Sequence, residues 1–374
     1  MEFRDLKKQY QVLKEPMDQA IAQVLRDANY ISGKQVTQLE QSLCEYTGVR
    51  HCVTCGNGTD ALSMALMAWG IGEGDAVFVP DFTFFASGET VSFEGATPVF
   101  VDVEADTFNL DPDCLEEAIR RVEQEGKLRP RAVVAVDLFG LPADYTRIRP
   151  IADAHGLLIL EDGAQGFGGA IGDKRVGSFG DISTTSFFPA KPLGCYGDGG
   201  AIFLDRDDWN DYLCSIRVHG KGSFKYDNVR IGWNSRLDTI QAAVLQVKLD
   251  AFEKYELADV NRAAGWYTQR LQGLVKTPVI PEGFSSSWAQ YTITLQSEEQ
   301  RQRIQEALKA QGIPTMVYYP KPMHLQGAFA DLGGKEGDFP VTERLCRTVL
   351  SLPIHPYITE EEVEQVCNAL RPLL

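Results

Sequence analysis

The chain has 374 residues, of which 44% are hydrophobic and 24% charged, and a formal net charge of −16. That balance belongs to folded enzymes rather than to disordered or membrane-embedded chains, and the length suits a large lobe with a smaller one. The negative charge, with no Lys/Arg-rich block to offset it, excludes nucleic acid and anionic membrane surfaces as partners and requires any anionic ligand to find donors gathered locally.

The opening, Met1-Glu2-Phe3-Arg4-Asp5, lacks the basic and then apolar order of a secretion signal, and no apolar run reaches bilayer length. A cytoplasmic protein is expected. Two helical patterns follow, around 17–28 and 34–47, and either lobe can receive them. An apolar strand at 51–55 then runs into Gly56-Asn57-Gly58-Thr59-Asp60, ahead of an amphipathic helix beginning near Ala61. Free backbone N–H groups at such a helix start bind phosphate, which makes Gly58 and Thr59 candidates. Cys52 and Cys55 form a C-x-x-C with no second pair to complete a zinc site, and the eight cysteines are scattered, so reduced thiols and no metal are expected.

From 50 to 205, short β-branched or aliphatic runs alternate with amphipathic segments. The runs 76–79, 98–101, 132–136 and 157–160 are apolar on both faces, which predicts a largely parallel sheet sandwiched by helices, with ligands beyond the carboxyl ends of its strands. Pro80-Asp81-Phe82-Thr83-Phe84 follows one such strand, and Phe84 is the aromatic expected against a flat heterocycle. Glu161-Asp162-Gly163-Ala164-Gln165 follows another. Asp162 can keep a pyridine nitrogen protonated, and Gln165 can hydrogen-bond a ring hydroxyl.

The strongest signal is Thr184-Thr185-Ser186-Phe187-Phe188-Pro189-Ala190-Lys191-Pro192-Leu193-Gly194, with Gly197-Asp198-Gly199-Gly200 after it. A Schiff-base lysine needs a neutral amine held opposite an aldehyde, and a tight loop after a strand supplies that position. Taken singly, Lys191 reads as a surface lysine, Asp162 as a helix cap and Phe84 as core; together they point to pyridoxal phosphate. Beyond them a long helix is expected over 238–255, then a second mixed region ending in a helix over 359–370. The expected division is 1–250 for a large cofactor-binding domain, including the N-terminal helical segment, and 251–374 for a small one.

With Tyr30-Ile31-Ser32-Gly33, Gly232-Trp233-Asn234-Ser235-Arg236-Leu237-Asp238 and Ser351-Leu352-Pro353-Ile354-His355-Pro356 added, the chain resembles the DegT/StrS family of sugar aminotransferases over nearly its whole length. The resemblance implies an α/β fold of the fold-type-I pyridoxal-phosphate enzymes, with a mostly parallel sheet between helices and a smaller C-terminal α+β domain. It implies that Lys191 holds the cofactor and shuttles the proton, that Asp162 meets the pyridine nitrogen and Gln165 the ring oxygen, that Gly58, Thr59 and Ser186 take the phosphate, and that Phe84 stacks. Asn234 would reach the cofactor of a partner subunit, making a homodimer with shared sites. Arg236, Tyr318, Tyr319 and His324 would meet a nucleotide-linked keto-sugar, with glutamate as amino donor.

Around Lys191 the chain is similar to the branch that aminates carbon 3 of a UDP-linked 3-oxo-N-acetylglucosaminuronic acid, in polysaccharide or glycolipid biosynthesis. It departs from that branch at Tyr318-Tyr319-Pro320, where His-Tyr-Pro is usual. The alternatives are an aminotransferase for another 3-oxo or 4-oxo sugar, such as a dTDP-linked deoxysugar, and a non-catalytic cofactor-binding regulator. A sugar dehydratase of the same family would carry histidine in place of Lys191.

Overall fold

The computed structural model describes residues 1–224 and 226–374. Helices α1 (Leu6–Asp27) and α2 (Lys34–Thr47) lead into β1 (His51–Cys55), α3 (Gly58–Ala68), β2 (Asp75–Pro80), α4 (Ala86–Phe93), β3 (Thr97–Val101), α5 (Pro112–Glu125), β4 (Arg129–Val136), α6 (Tyr145–His155) and β5 (Leu158–Asp162). Next come β6 (Ala170–Ile171), β7 (Lys174–Arg175), β8 (Ile182–Ser186), β9 (Gly200–Leu204), α7 (Asp207–Ile216) and α8 (Thr239–Ala251). The remainder is α9 (Leu257–Leu271), β10 (Phe284–Ser285), β11 (Tyr291–Thr294), α10 (Glu298–Ala310), α11 (Pro340–Thr348), β12 (Val349–Leu352) and α12 (Glu360–Leu370).

Seven strands form the main sheet in the order β1-β9-β8-β5-β4-β2-β3. The pairs β2/β3, β2/β4, β4/β5 and β5/β8 are parallel, whereas β9 runs antiparallel to both of its neighbours. This is the mostly parallel sheet expected from the apolar runs: all six residues of β2 are buried, as are the last five of β4. Each aliphatic side chain so buried is worth roughly 1.5–3 kcal/mol, so the sheet is a rigid platform for groups at its edge. Because β1 and β8 flank the reversed β9, their carboxyl ends lie at the same edge as those of β5 and β2.

Buried Leu62, Met64 and Leu66 of α3 pack with Val77, Val79 and Val134 of the sheet, while Leu115 and Ile119 of α5 and Ile148 of α6 pack with Phe78, Val133 and Ile159. Leu13 and Met17 of α1 join Leu245 and Leu249 of α8 in one apolar cluster. The N-terminal helices therefore pack in the cluster that also takes in Ala201 and Phe203 of β9. A separate cluster joins α9, α10 and α12 to the antiparallel β11/β12 pair, through Tyr267, Ile293, Ile304, Leu350 and Val366.

Two element boundaries differ from those expected. α1 begins at Leu6 rather than near 17, because Asp5 caps it by accepting from Lys8 N, and Pro16 lies inside it. Val12, four residues before that proline, is half exposed, so solvent can take up the carbonyl that proline leaves without a partner. α3 begins at Gly58, since the Asn57 side chain caps Asp60 N at 2.8 Å. The division expected near 250 falls inside a continuous helical rod, in which α8 passes through a π-helical turn (Phe252–Glu256) into α9. Among the described residues no helix is long and apolar enough to cross a membrane.

Candidate active site

At the carboxyl edge of the sheet lies a cavity of about 400 Å³, lined among others by Gly58, Thr59, Phe84, Asp162, Gln165, Ser186, Lys191, Tyr318 and Tyr319. Nine residues expected at the site from sequence thus meet in one place. They come from strand ends that sheet pairing brings together: Asp162 closes β5, Ser186 closes β8, and β5 pairs with β8 so that Asp162 faces Thr184.

Lys191 follows β8 on a short loop tied back by Lys191 N to Phe188 O (2.9 Å) and Cys195 N to Phe187 O (2.8 Å). Burial lowers its ammonium to about 8; the Asp162 carboxylate opposes that shift and Arg4 adds to it. A free amine is therefore well populated from slightly above neutral pH, as a nucleophile and proton carrier requires.

Asp162 is buried, and its carboxyl accepts from Ser87 Oγ (2.7 Å) and Ala164 N (3.2 Å). Burial raises its pKa against the pull of Ser87, Ala164 and Lys191. A carboxylate with two donors, room for another and a burial penalty is suited to a cationic N–H partner such as a protonated pyridine. Ser87 is itself 3.0 Å from Thr83 Oγ1, so α4 and the loop before it orient the acid.

The Gln165 side chain is fixed at both ends, its Oε1 accepting from Phe139 N (3.0 Å) and its Nε2 donating to Tyr319 Oη (2.8 Å). Tyr319 keeps its own proton to donate. Phe84 is about half exposed and its ring sits 6.3 Å from that of Tyr319.

The cradle for an anion is built on close backbone approach. A Cβ on Gly200 would lie 2.5 Å from Asn57 O, and one on Gly58 would lie 2.7 Å from Ser186 Cβ. Only glycines let the start of α3 settle onto β9 and the end of β8, where the first-turn N–H groups and the Ser186 hydroxyl converge. Gly58→Ala is therefore expected to weaken pyridoxal phosphate binding roughly tenfold, about 1.4 kcal/mol, in an equilibrium titration of the cofactor-free protein. An unchanged affinity would count against this cradle.

The expected pyridoxal phosphate thus fits the residues present: a carboxyl for the ring nitrogen, an amide and a phenol for the ring oxygen, N–H groups and a hydroxyl for the phosphate, and a depressed amine between them. These residues would hold it, and it would supply an aldehyde and an electron-withdrawing ring.

Three expected residues lie away from the cavity lining of the single chain. Asn234 is exposed and Arg236 half-buried, and Arg236 has no hydrogen-bond or ion-pair partner among the described residues. Ser235 between them is buried, accepts from Gly56 N (2.8 Å) and donates to Asp60 Oδ2 (2.6 Å), so the segment is anchored to the cradle while its neighbours project outward.

His324 is a correction. Its side chain is 1% exposed, with Nδ1 2.7 Å from Asp81 Oδ2 and Nε2 3.4 Å from Glu343 Oε1. Its backbone N–H also bonds Asp81 (2.7 Å). Burial pulls the imidazole pKa down, but Asp81, Glu343 and Asp338 outweigh it and hold it above the ordinary value. His324 fastens the loop that carries Thr83 and Phe84; it does not face the cavity.

Sequence reasoning missed Ser87, Thr83 and Gln290, whose side chains lie at or beside the cavity. Thr83 stood inside a quoted motif. Ser87 carries a signal only through its i+4 spacing from Thr83, and Gln290 carries none.

Comparison with known proteins agrees with this geometry. The DegT/DnrJ/EryC1/StrS aminotransferase family matches residues 11–371. The chain is 42% identical over 371 residues to a UDP-2-acetamido-2-deoxy-3-oxo-D-glucuronate aminotransferase of Pseudomonas aeruginosa, covering 99% of both chains. It is 40% identical over 371 residues to a UDP-N-acetyl-3-dehydro-α-D-glucosamine 3-aminotransferase of Acidithiobacillus ferrooxidans, covering 99% of this chain and 97% of that one. The crystal structure of a DegT/DnrJ/EryC1/StrS aminotransferase from Brucella abortus superposes with a TM-score of 0.96 at 47% identity, covering 100% of this chain and 99% of that one.

Proposed function

We propose that this chain, which belongs to the DegT/DnrJ/EryC1/StrS aminotransferase family and is a pyridoxal-phosphate-dependent sugar aminotransferase, moves an amino group from glutamate to carbon 3 of a UDP-linked 3-oxo-N-acetylglucosaminuronic acid. The observation that carries the reading is the convergence of Lys191, Asp162 and the Gly58-Thr59-Ser186 cradle on one cavity. Lys191 Nζ takes the proton from the donor's α-carbon and, in the second half, returns one to sugar carbon 3. Asp162 would keep the ring nitrogen protonated, Gln165 and Tyr319 would orient the ring oxygen, and the cradle would fix the phosphate. The product is a 3-amino sugar nucleotide for surface polysaccharide or glycolipid assembly. We place the enzyme in the cytoplasm, a reading supported by its eight free cysteines.

Supporting a uronate is Arg236, an unpaired cation among the described residues, able to grip a carboxylate or diphosphate. Its replacement by Ala should cost about 1.5–3 kcal/mol, a ten- to hundredfold loss of kcat/KM, and Lys should restore little if the contact is bidentate. The test compares UDP-linked 3-oxo sugars with and without the C6 carboxylate, and a dTDP-linked 4-oxo-6-deoxy sugar. The uronate should show the highest kcat/KM. Preference for the sugar without a carboxylate would contradict the uronate, and preference for the dTDP sugar would contradict the UDP branch; either leaves the aminotransferase chemistry standing.

We further propose a homodimer with shared sites. Asn234 projects from a segment anchored to the cradle, and Tyr30 and Ile31, whose backbones meet Thr239 and Asp238, are exposed apolar residues suited to burial by a second copy. Mixing inactive Lys191→Ala with inactive Asn234→Ala subunits should restore activity through one intact site per heterodimer. No recovery after verified subunit exchange would contradict sharing.

A further inference from the structure

The segment ahead of α1 lies against the lysine loop. Arg4 donates through Nη2 to the carbonyl oxygens of Lys191 (2.9 Å) and Pro192 (3.4 Å). Asp5 beside it caps α1, and Phe3 packs edge-on against Tyr318 with ring centroids 6.3 Å apart. Three consecutive residues thus join the lysine loop, the first helix and a tyrosine of the cavity wall. Among the described residues no carboxylate lies within ion-pair distance of the Arg4 guanidinium. Burial lowers its pKa to about 10, with Glu256 and Tyr318 opposing, so it remains a cation at neutral pH. Two carbonyls alone do not call for a buried charge; an amide would serve them without the desolvation cost.

We propose that Arg4 is a positioning residue for Lys191: from the segment ahead of α1 its guanidinium clasps the backbone carbonyls of Lys191 and Pro192 and so sets a permanent cation on the lysine loop.

The groups around both residues fit this role. Facing Lys191 are Asp162 from β5, which attracts a proton, and Arg4, which repels one, while Asp198, Tyr318 and Tyr319 line the same cavity. Facing Arg4 are Glu256, Tyr318, Lys248 and His355. Lys248 is held down to about 8 and His355 to about 4, by burial first and then, in both, by the Arg4 charge, with Glu256 and Asp5 respectively opposing. Every base around this guanidinium feels the same cation. For Lys191 burial is the larger cause and Arg4 an addition to it, so a neutral residue at position 4 should raise the pH at which the amine is released.

The inference rests on Lys191 being the cofactor lysine, and its test is separable from that reading. In the full-length protein freed of cofactor, the rate of Lys191 acetylation by trace acetic anhydride is followed against pH by peptide mass spectrometry. Arg4→Gln keeps N–H donors for the two carbonyls and removes the charge; Arg4→Lys keeps the charge. The expected result is a midpoint raised by roughly half to one pH unit in Arg4→Gln and unchanged in Arg4→Lys. Any other pattern overturns the proposal: equal shifts in both variants would make Arg4 a structural clamp only, and no shift in Arg4→Gln would remove its charge from the account. Neither result would bear on which lysine holds the cofactor.

Discussion

Lys191→Ala is expected to abolish amino transfer, with the loss reaching at least the roughly 10²- to 10⁴-fold that a positioned proton carrier provides. The same amine would also hold the cofactor covalently, so borohydride should fix no cofactor to the purified variant. The surrounding fold should persist, because among the described residues the Lys191 side chain makes no hydrogen bond or ion pair and its loop is held by backbone bonds. Thermal unfolding close to that of wild type, with no turnover in either half-reaction, is the expected pair of results. Measurable transfer from glutamate in the variant would contradict the assignment.

Asp162→Asn should have the next largest effect. The wild-type carboxyl already suffers from burial, which raises its pKa in the cofactor-free protein, and among the described residues its donors are Ser87 and Ala164. A cationic ring nitrogen relieves that penalty; an amide cannot keep the nitrogen protonated. Losing one charge-assisted buried bond costs about 1.5–3 kcal/mol, a ten- to hundredfold fall in kcat, before the weaker electron-withdrawing power of an unprotonated ring is counted. Lys191 should still be trapped with the cofactor by borohydride in this variant. Unaltered kcat would show that Asp162 serves only the Ser87 and Ala164 bonds.

How much of this was legible in the sequence follows from where each signal resides. Lys191, Asp162, Ser186, Gly58 and Thr59 each sit in a short motif just after an apolar run, and a parallel sheet delivers such motifs to one edge, so local sequence is enough to bring them to one cavity. The support around them was not legible. The Gln165–Tyr319 bond spans 154 residues, the Ser87–Asp162 bond 75 and the Arg4 bond to the Lys191 carbonyl 187, and no period or cap encodes such distances. His324 failed for the same reason: its Asp81 partner is 243 residues away, and family likeness does not reveal which way a side chain points. α1 starts at Leu6, ahead of the pattern read around 17–28, and its solvent-facing turn tolerates Pro16.

The chain holds a second amine that tests the central claim sharply. Lys248 is 2% exposed and is also lowered to about 8 by burial, yet it lies outside the cavity lining and its Nζ sits 5.4 Å from the Tyr196 ring centroid. A depressed amine is therefore not enough; the site requires one that shares a cavity with Asp162 and the phosphate cradle. Reducing the wild-type protein with borohydride in the presence of pyridoxal phosphate, then mapping the modified peptide, decides between them. The expected result is a single phosphopyridoxyl group on Lys191. Modification of Lys248 or any other lysine in its place would contradict it.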